Sequence, residues 1–423
     1  MDAKGVRNYL PEEMIFRQSV VDRLKSIFEK YGFSPLETPA IERLDLLTAK
    51  FAGGEEIMKE IFKMKDQGER DLGLRYDLTV PMSKVVGMNP NMNLPFRRYQ
   101  IQPVWRDGPI KLGRLREFLQ CDVDIVGVKS MIADAEILAV VSEAFSELGF
   151  KFTIKLNSRK LMNGMLEYAG FGDYKMRAIL TIDKLAKVGI KGVKKELLES
   201  GFELGEVDRI LKLLGIREKN EKILDILRKK VVSEEGRKGI KELEELLGFA
   251  RKMGVKNLEI DISLARGLEY YTGPVFEIYS RELSGSLAGG GRYDEMIGGF
   301  TGRGEYPATG VSFGIEPIIE SLRVRKKEGK QKTTTRVFVI PIKTLNESIR
   351  ITKKLRGMGI PAEMDLMDRG ISKNLSYANS MGIPFVVFVG KKELAKKKVK
   401  LRDMITGKEK EIAVEQIIKK IWR

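Results

Sequence analysis

The sequence predicts an α+β protein. Its core is an antiparallel sheet flanked by helices, interrupted by a helical insertion and followed by a small α/β domain. Three observations predict this. Four segments alternate apolar and polar residues with period two, the pattern of half-buried, usually antiparallel strands. The stretch 172–250 is rich in Lys, Glu, Leu and Ile at helical spacing. Residues 337–340 and 385–389 are continuous apolar runs, as in strands covered on both faces.

Taken in order, residues 12–32 form an amphipathic helix, with Phe16, Val20, Leu24, Ile27 and Phe28 at helical spacing and Gly32 as its end. Residues 33–39 are then extended and stop at Pro39. In 72–80, Leu72, Leu74, Tyr76, Leu78 and Val80 share one face, leaving Arg75, Asp77 and Thr79 on the other. In 99–106, Gln100, Gln102 and Arg106 share a face; in 119–126, Gln120, Asp122 and Asp124 do; in 258–264, Glu259, Asp261 and Ser263 do. Any one of these is read most simply as a solvated sheet face. Together, bearing carboxylates, amides and arginine, they predict a polar cleft floored by a sheet. Residues 132–148 read as a long helix, 285–315 as a glycine-rich segment, and 310–316 as a strand running into a helix. The expected division is 1–171 and 251–325 for the core, 172–250 for the insertion, 326–335 for a basic linker and 336–423 for the final domain. Helical patterns in that domain fall at 345–358, 371–381 and 413–421.

The 423 residues carry 76 basic and 59 acidic side chains, a formal net charge of +17, which favours a polyanionic partner. There is one cysteine, Cys121, and no histidine. A disulfide within the chain, the usual zinc sites, a Ser-His-Asp triad and a histidine proton shuttle are therefore excluded. Catalysis is left to carboxylates, Arg, Lys, Tyr, Ser or Thr, to a hard metal ion, or to the substrate's own groups. No run of 18 apolar residues and no apolar leader is present, so the chain reads as cytoplasmic with no membrane association.

No Walker A pattern occurs, and 289–294 (GGGRYD) is not a dinucleotide fingerprint. If the chain uses ATP, arginines and a metal ion must bind its phosphates, and the oxygen ligands available suit Mg²⁺. Arg75, Arg106, Arg114, Arg116 and Arg266 sit beside the polar faces. Each could simply pair with a nearby carboxylate. Gathered at one cleft they suit an adenylation site, because guanidinium matches phosphate and carboxylate with paired hydrogen bonds.

At this point a family comes into view. Residues 4–14 (KGVRNYLPEEM) resemble the opening of histidyl-tRNA synthetases. Residues 74–81 (LRYDLTVP) look like their amino-acid-site strand in its archaeal and eukaryotic form. Residues 104–106 and 113–124 resemble the second class II motif with its loop, and 264–273 (LARGLEYYTG) the signature specific to the histidine enzymes. Residues 290–294 and 310–316 are similar to the run into motif 3, and 336–423 resemble the anticodon-binding domain.

The resemblance implies a class II synthetase core that activates L-histidine with ATP and Mg²⁺ and transfers it to the 3′ end of tRNA(His), acting as a homodimer. It implies that Asp77, Thr79 and Gln120 hold the α-ammonium group, with Leu78 in the same site. Asp124, Tyr270 and Tyr271 would read the imidazole. Arg106 would clamp the α-phosphate and the substrate carboxylate, and Arg266 would stabilise charge during attack. Arg114, Phe118, Gln120 and Gly314 would join Arg106 around ATP, and no side chain is assigned to metal. Two departures stand out. Pro317 occupies the place of the family's motif 3 arginine, leaving the holder of the γ-phosphate open. Loop 107–112 lacks the usual acidic residue two positions after the arginine. The alternatives are a histidine-binding paralogue that regulates another enzyme without charging tRNA, and a nucleic-acid-binding module that keeps only the shape.

Overall fold

The computed structural model describes residues 2–49, 58–110, 115–267, 270–280, 285–302, 305–325 and 332–421. The chain forms two compact units: residues 1–7 with 20–326, and 8–19 with 327–423.

The first unit is built on an eight-stranded sheet. Its order is Ser34–Pro35, Phe96–Trp105, Glu117–Val126, Ala308–Gly314, Ser286–Arg292, Pro274–Ser280, Phe152–Ser158 and Leu258–Ile260. The six central strands are antiparallel to their neighbours, and each short edge strand runs parallel to the strand beside it. The expected antiparallel sheet is thus a mixed one, antiparallel through its centre. The apolar parity of the strands meets residues 20–30 of helix Pro11–Lys30 and helix Ile132–Glu147. Phe28 lies 5.5 Å and Phe145 5.8 Å from Phe313, ring centre to ring centre. The opposite face is polar but not solvated: Arg98, Gln100, Asp122 and Asp124 are all at most 3% exposed.

Two of the four alternating segments need correction. Residues 72–80 are not one strand. Strand Asp71–Leu74 lies in a separate three-stranded sheet, between Ile41–Arg43 and Lys63–Lys65, and helix Thr79–Met88 begins soon after it. Asp77 Oδ1 accepts the Val80 N–H at 3.1 Å, and Pro81 sits in the first turn, where its missing N–H costs nothing. The segment 77–81 is therefore a helix start whose parity happens to alternate. Likewise the strand at 258 stops at Ile260, where Asp261 Oδ1 accepts the Ser263 N–H and turns the chain. The structure also contains strand Phe152–Ser158 and helix Arg159–Ala169, neither of which the sequence reading included.

Residues 172–250 are helical: a short 3-10 turn at Gly172–Tyr174, then Lys175–Ile182, Leu185–Glu199, Leu204–Leu214, Asn220–Lys230 and Glu234–Lys252. No described helix is long and apolar enough to cross a membrane.

The second unit carries a five-stranded sheet, ordered Ala362–Met364, Val337–Ile342, Phe385–Gly390, Val399–Asp403 and Glu409–Ile412. Val337 and Val339 pack into one apolar cluster, while Phe338 and Ile340 pack into another. Both faces are covered, as the continuous apolar run predicts. The helices expected at 345–358 and 371–381 are Leu345–Gly357 and Ile371–Ser380, whereas 413–421 holds only a 3-10 turn and helix Ile418–Ile421.

Candidate active site

The cross-strand register assembles the floor of the site. Gln100 faces Asp122, Asp122 faces Ser312, Ser312 faces Gly289, Gly289 faces Glu277, and Glu277 faces Lys155. The neighbouring row runs Arg98, Asp124, Gly310, Gly291 and Val275. Paired residues in a ladder share a face, and strands stand roughly 4.8 Å apart. Polar side chains thus rise at both sides of a strip that glycines keep low.

Two glycines are required by close approach. A Cβ on Gly310 would lie 1.9 Å from Asp124 Oδ1, and one on Gly289 would lie 2.0 Å from Arg266 Nη1. Above this floor is a cavity of about 910 Å³.

On one side Asp124 is fixed twice. Its Oδ2 is 2.8 Å from Arg98 Nη2, and the Tyr293 hydroxyl donates to its Oδ1. Arg98 also stands 4.0 Å from Asp122 and is wholly buried. Gln120 Nε2 donates to both Asp122 oxygens, at 3.1 and 2.9 Å. Gln120 Oε1 is buried with no partner among the described residues. One guanidinium serves two buried carboxylates, so burial prevails over charge pairing. It pushes Asp122 up to about 7 and raises Asp124 as well, although Arg98 opposes both shifts. Burial also pushes Asp77 up to about 6, against the Val80 N–H, Arg106 and Arg98.

Two arginines enter the same cavity. Arg106 Nε donates to the Tyr76 carbonyl at 3.0 Å, and its guanidinium lies 5.2 Å from the Phe118 ring centre. Arg266 Nη1 donates to Glu277 Oε1 at 2.8 Å, while its buried Nε has no partner among the described residues. Tyr270 packs 4.7 Å from Tyr271 and 6.0 Å, edge-on, from Tyr293.

Asp77, Thr79, Arg106, Phe118, Gln120, Asp124, Arg266, Tyr270, Tyr271 and Gly314 all line this one cavity. Leu78 does not: its side chain is fully buried elsewhere, and only its carbonyl approaches Arg98 Nη2, at 3.5 Å. Arg114 lies outside the described residues, as does the Leu268–Glu269 part of the signature. Arg75 is a buried strut, donating to the carbonyls of Pro103 and Thr38, and Arg116 pairs with Asp107 at 3.0 Å. The expected gathering of five arginines at the cleft is corrected to two among the described residues. Sequence reasoning missed Arg98, Glu277, Tyr293, Asp183 and Lys187. Arg98 shares strand parity with Gln100 and was findable; the others come from distant segments.

A sheet of this topology, floored by glycines and walled by carboxylates and arginines, followed by an α/β domain, defines a class II aminoacyl-tRNA synthetase architecture. The family model for histidyl-tRNA synthetase matches residues 5–318, and that for the anticodon binding domain matches 336–423. The chain belongs to the histidyl-tRNA synthetase family. It is 40% identical to histidine–tRNA ligase 1 of Bacillus cereus over 98% of both chains. It is 40% identical to histidine–tRNA ligase 2 of Shouchella clausii over 97% of both. The crystal structure of histidyl-tRNA synthetase from Nostoc sp. PCC 7120 superposes with a TM-score of 0.89 at 30% identity, covering 100% of this chain and 99% of that one. These relatives are bacterial and do not support the archaeal and eukaryotic form read from residues 74–81.

Proposed function

We propose that this chain charges tRNA(His) with L-histidine in two steps. The observation that carries the reading is one cavity that holds buried acceptors together with two guanidinium groups. Gln120 Oε1, without a partner among the described residues, suits the substrate α-ammonium, with Asp77 and Thr79 beside it. Asp124, oriented by Arg98 and Tyr293, suits an imidazole N–H, with Tyr270 and Tyr271 against the ring. An analogue lacking these groups would leave buried acceptors unpaired, which is the physical basis of discrimination.

The substrate carboxylate oxygen attacks the α-phosphorus of ATP, and the bond to the bridging oxygen breaks to release pyrophosphate. Arg106 and Arg266 face the charge that develops there. Phe118, stacked on Arg106, and Gly314 suit the nucleotide. In the second step a ribose hydroxyl at the 3′ end of tRNA attacks the carbonyl, and AMP leaves. The chain has no histidine to act as base, so an adenylate phosphate oxygen takes the hydroxyl proton. Catalysis is then positioning and electrostatics.

Among the described residues no three carboxylates gather into a metal cage. Mg²⁺ takes oxygen ligands, and the carboxylate Glu316, which lines the cavity, would help hold such an ion brought in with ATP. When bound, that ion offsets phosphate charge.

On this reading 1–171 and 251–325 are the catalytic core, 172–250 the insertion, 326–335 a linker and 336–423 the anticodon-binding domain. The enzyme works in the cytoplasm as a homodimer joined through the segment ending at Pro39. ATP–pyrophosphate exchange without tRNA, run with each amino acid, tests the proposal. Exchange with histidine alone, followed by charging of tRNA(His), is the expected result. Histidine binding without exchange would instead favour the regulatory paralogue.

A further inference from the structure

The cavity is lined by six carboxylates and only three cations among the described residues: Arg106, Arg266 and Lys187. An acidic cavity suits the ammonium and imidazole of histidine but opposes a triphosphate. Both arginines are already partly engaged, Arg106 by the Tyr76 carbonyl and Arg266 by Glu277. Pro317 also lines the cavity and contributes no charge. Lys187 differs from the arginines. It has no ion-pair or side-chain hydrogen-bond partner among the described residues, and it comes from the helical insertion rather than the sheet.

Its position is set by a turn. The chain leaves helix Lys175–Ile182 at Asp183, and the Lys187 and Val188 N–H groups both donate to the Lys184 carbonyl, at 2.8 and 3.0 Å. Gly189, at φ +69°, breaks the helical path just beyond. The same turn rests on the segment that carries Arg266, since a Cβ on Gly267 would lie 3.1 Å from Asp183 Oδ2. The insertion therefore delivers to the cavity that holds Arg266 an ammonium that acts electrostatically on Asp183 of the same turn without an ion pair or hydrogen bond to it.

We propose that Lys187 binds the β- and γ-phosphates of ATP and the departing pyrophosphate, so that the insertion completes the nucleotide site. This deepens the function proposed above and rests on it. A lysine suits the role, because a flexible stem with three donors can follow a leaving polyphosphate that a fixed fork could not.

The test is ATP–pyrophosphate exchange by the full chain carrying K187A or K187R. K187A is expected to raise KM for ATP about tenfold, the size of one charge-assisted contact. KM for histidine should stay within twofold, and K187R should recover most of the loss. Lys187 is exposed, so both variants should fold. A KM for ATP within twofold of wild type in K187A overturns the proposal, as does an equal rise in both KM values. Failure of the unmodified chain to exchange with histidine would instead overturn the proposed function.

Discussion

Arg266 reaches across Gly289 to place Nη1 2.8 Å from Glu277 Oε1, and Glu277 is held from its other oxygen by the Tyr279 hydroxyl. The pair aims a half-buried guanidinium whose Nε has no partner among the described residues. Removing the guanidinium should behave like removing a transition-state donor. R266A is expected to lower the exchange rate about 100- to 1000-fold with a small change in histidine affinity. E277Q keeps the shape but loses the charge, and should cost about tenfold in rate. Steady-state exchange checks both, and a rate for R266A near wild type would refute the assignment.

The two glycines of the floor should fail in different ways. At Gly310 an added methyl meets Asp124, which Arg98 and Tyr293 hold fast in a buried site, so G310A should destabilise the fold by roughly 1–3 kcal/mol. At Gly289 the methyl meets the far end of the Arg266 side chain, which can swing away. G289A should therefore melt within a few degrees of wild type yet lose most of its exchange activity. Thermal melts beside exchange rates distinguish the two cases, and equal melting loss in both would contradict this account.

Burial raises the Asp122 carboxyl from its ordinary value of 3.8 to about 7. The folded state then holds a proton that the unfolded chain has lost. Stability from this group is full below about pH 4, declines as pH rises to 7 and is level above that. D122N removes the titration while keeping the size. The stability difference between D122N and wild type should shift in favour of D122N from pH 4 to 7, then stay constant. Urea midpoints across that range provide the measurement, and a difference independent of pH would contradict the buried-acid picture.

Asp77 has two tasks, capping helix Thr79–Met88 through the Val80 N–H and lining the cavity. D77N keeps an oxygen for the cap and loses the negative charge, so it should fold normally while raising KM for histidine about tenfold or more. D77A should show the same KM defect and also lose about 1 kcal/mol of stability. A normal KM for histidine in D77N would remove Asp77 from the substrate site.

Much of the site is written locally. Strand parity at 119–126 places Gln120, Asp122 and Asp124 on one face, and the structure keeps them there. The same parity misled at 72–80. The signal of Asp77 three residues before Val80, with Pro81 next, marks a helix start, and alternation over a few residues cannot tell the two apart. Arginine counting misled too, because a guanidinium serves equally as the buried strut seen at Arg75 and as a phosphate clamp.

Beyond the motifs that carry its family resemblance, the sequence by itself determined the helical character of 172–250, the apolar C-terminal strands and the facing of the central strand. Composition and short-range periodicity carry that information, because they follow from backbone geometry a few residues at a time. Only the tertiary structure decided that Tyr293 holds Asp124, that Arg98 is shared by two acids, that Glu277 aims Arg266, and that Lys187 reaches the cavity. Those pairings span up to 169 residues. They depend on strand register and chain crossing, which only the packing of the whole unit determines.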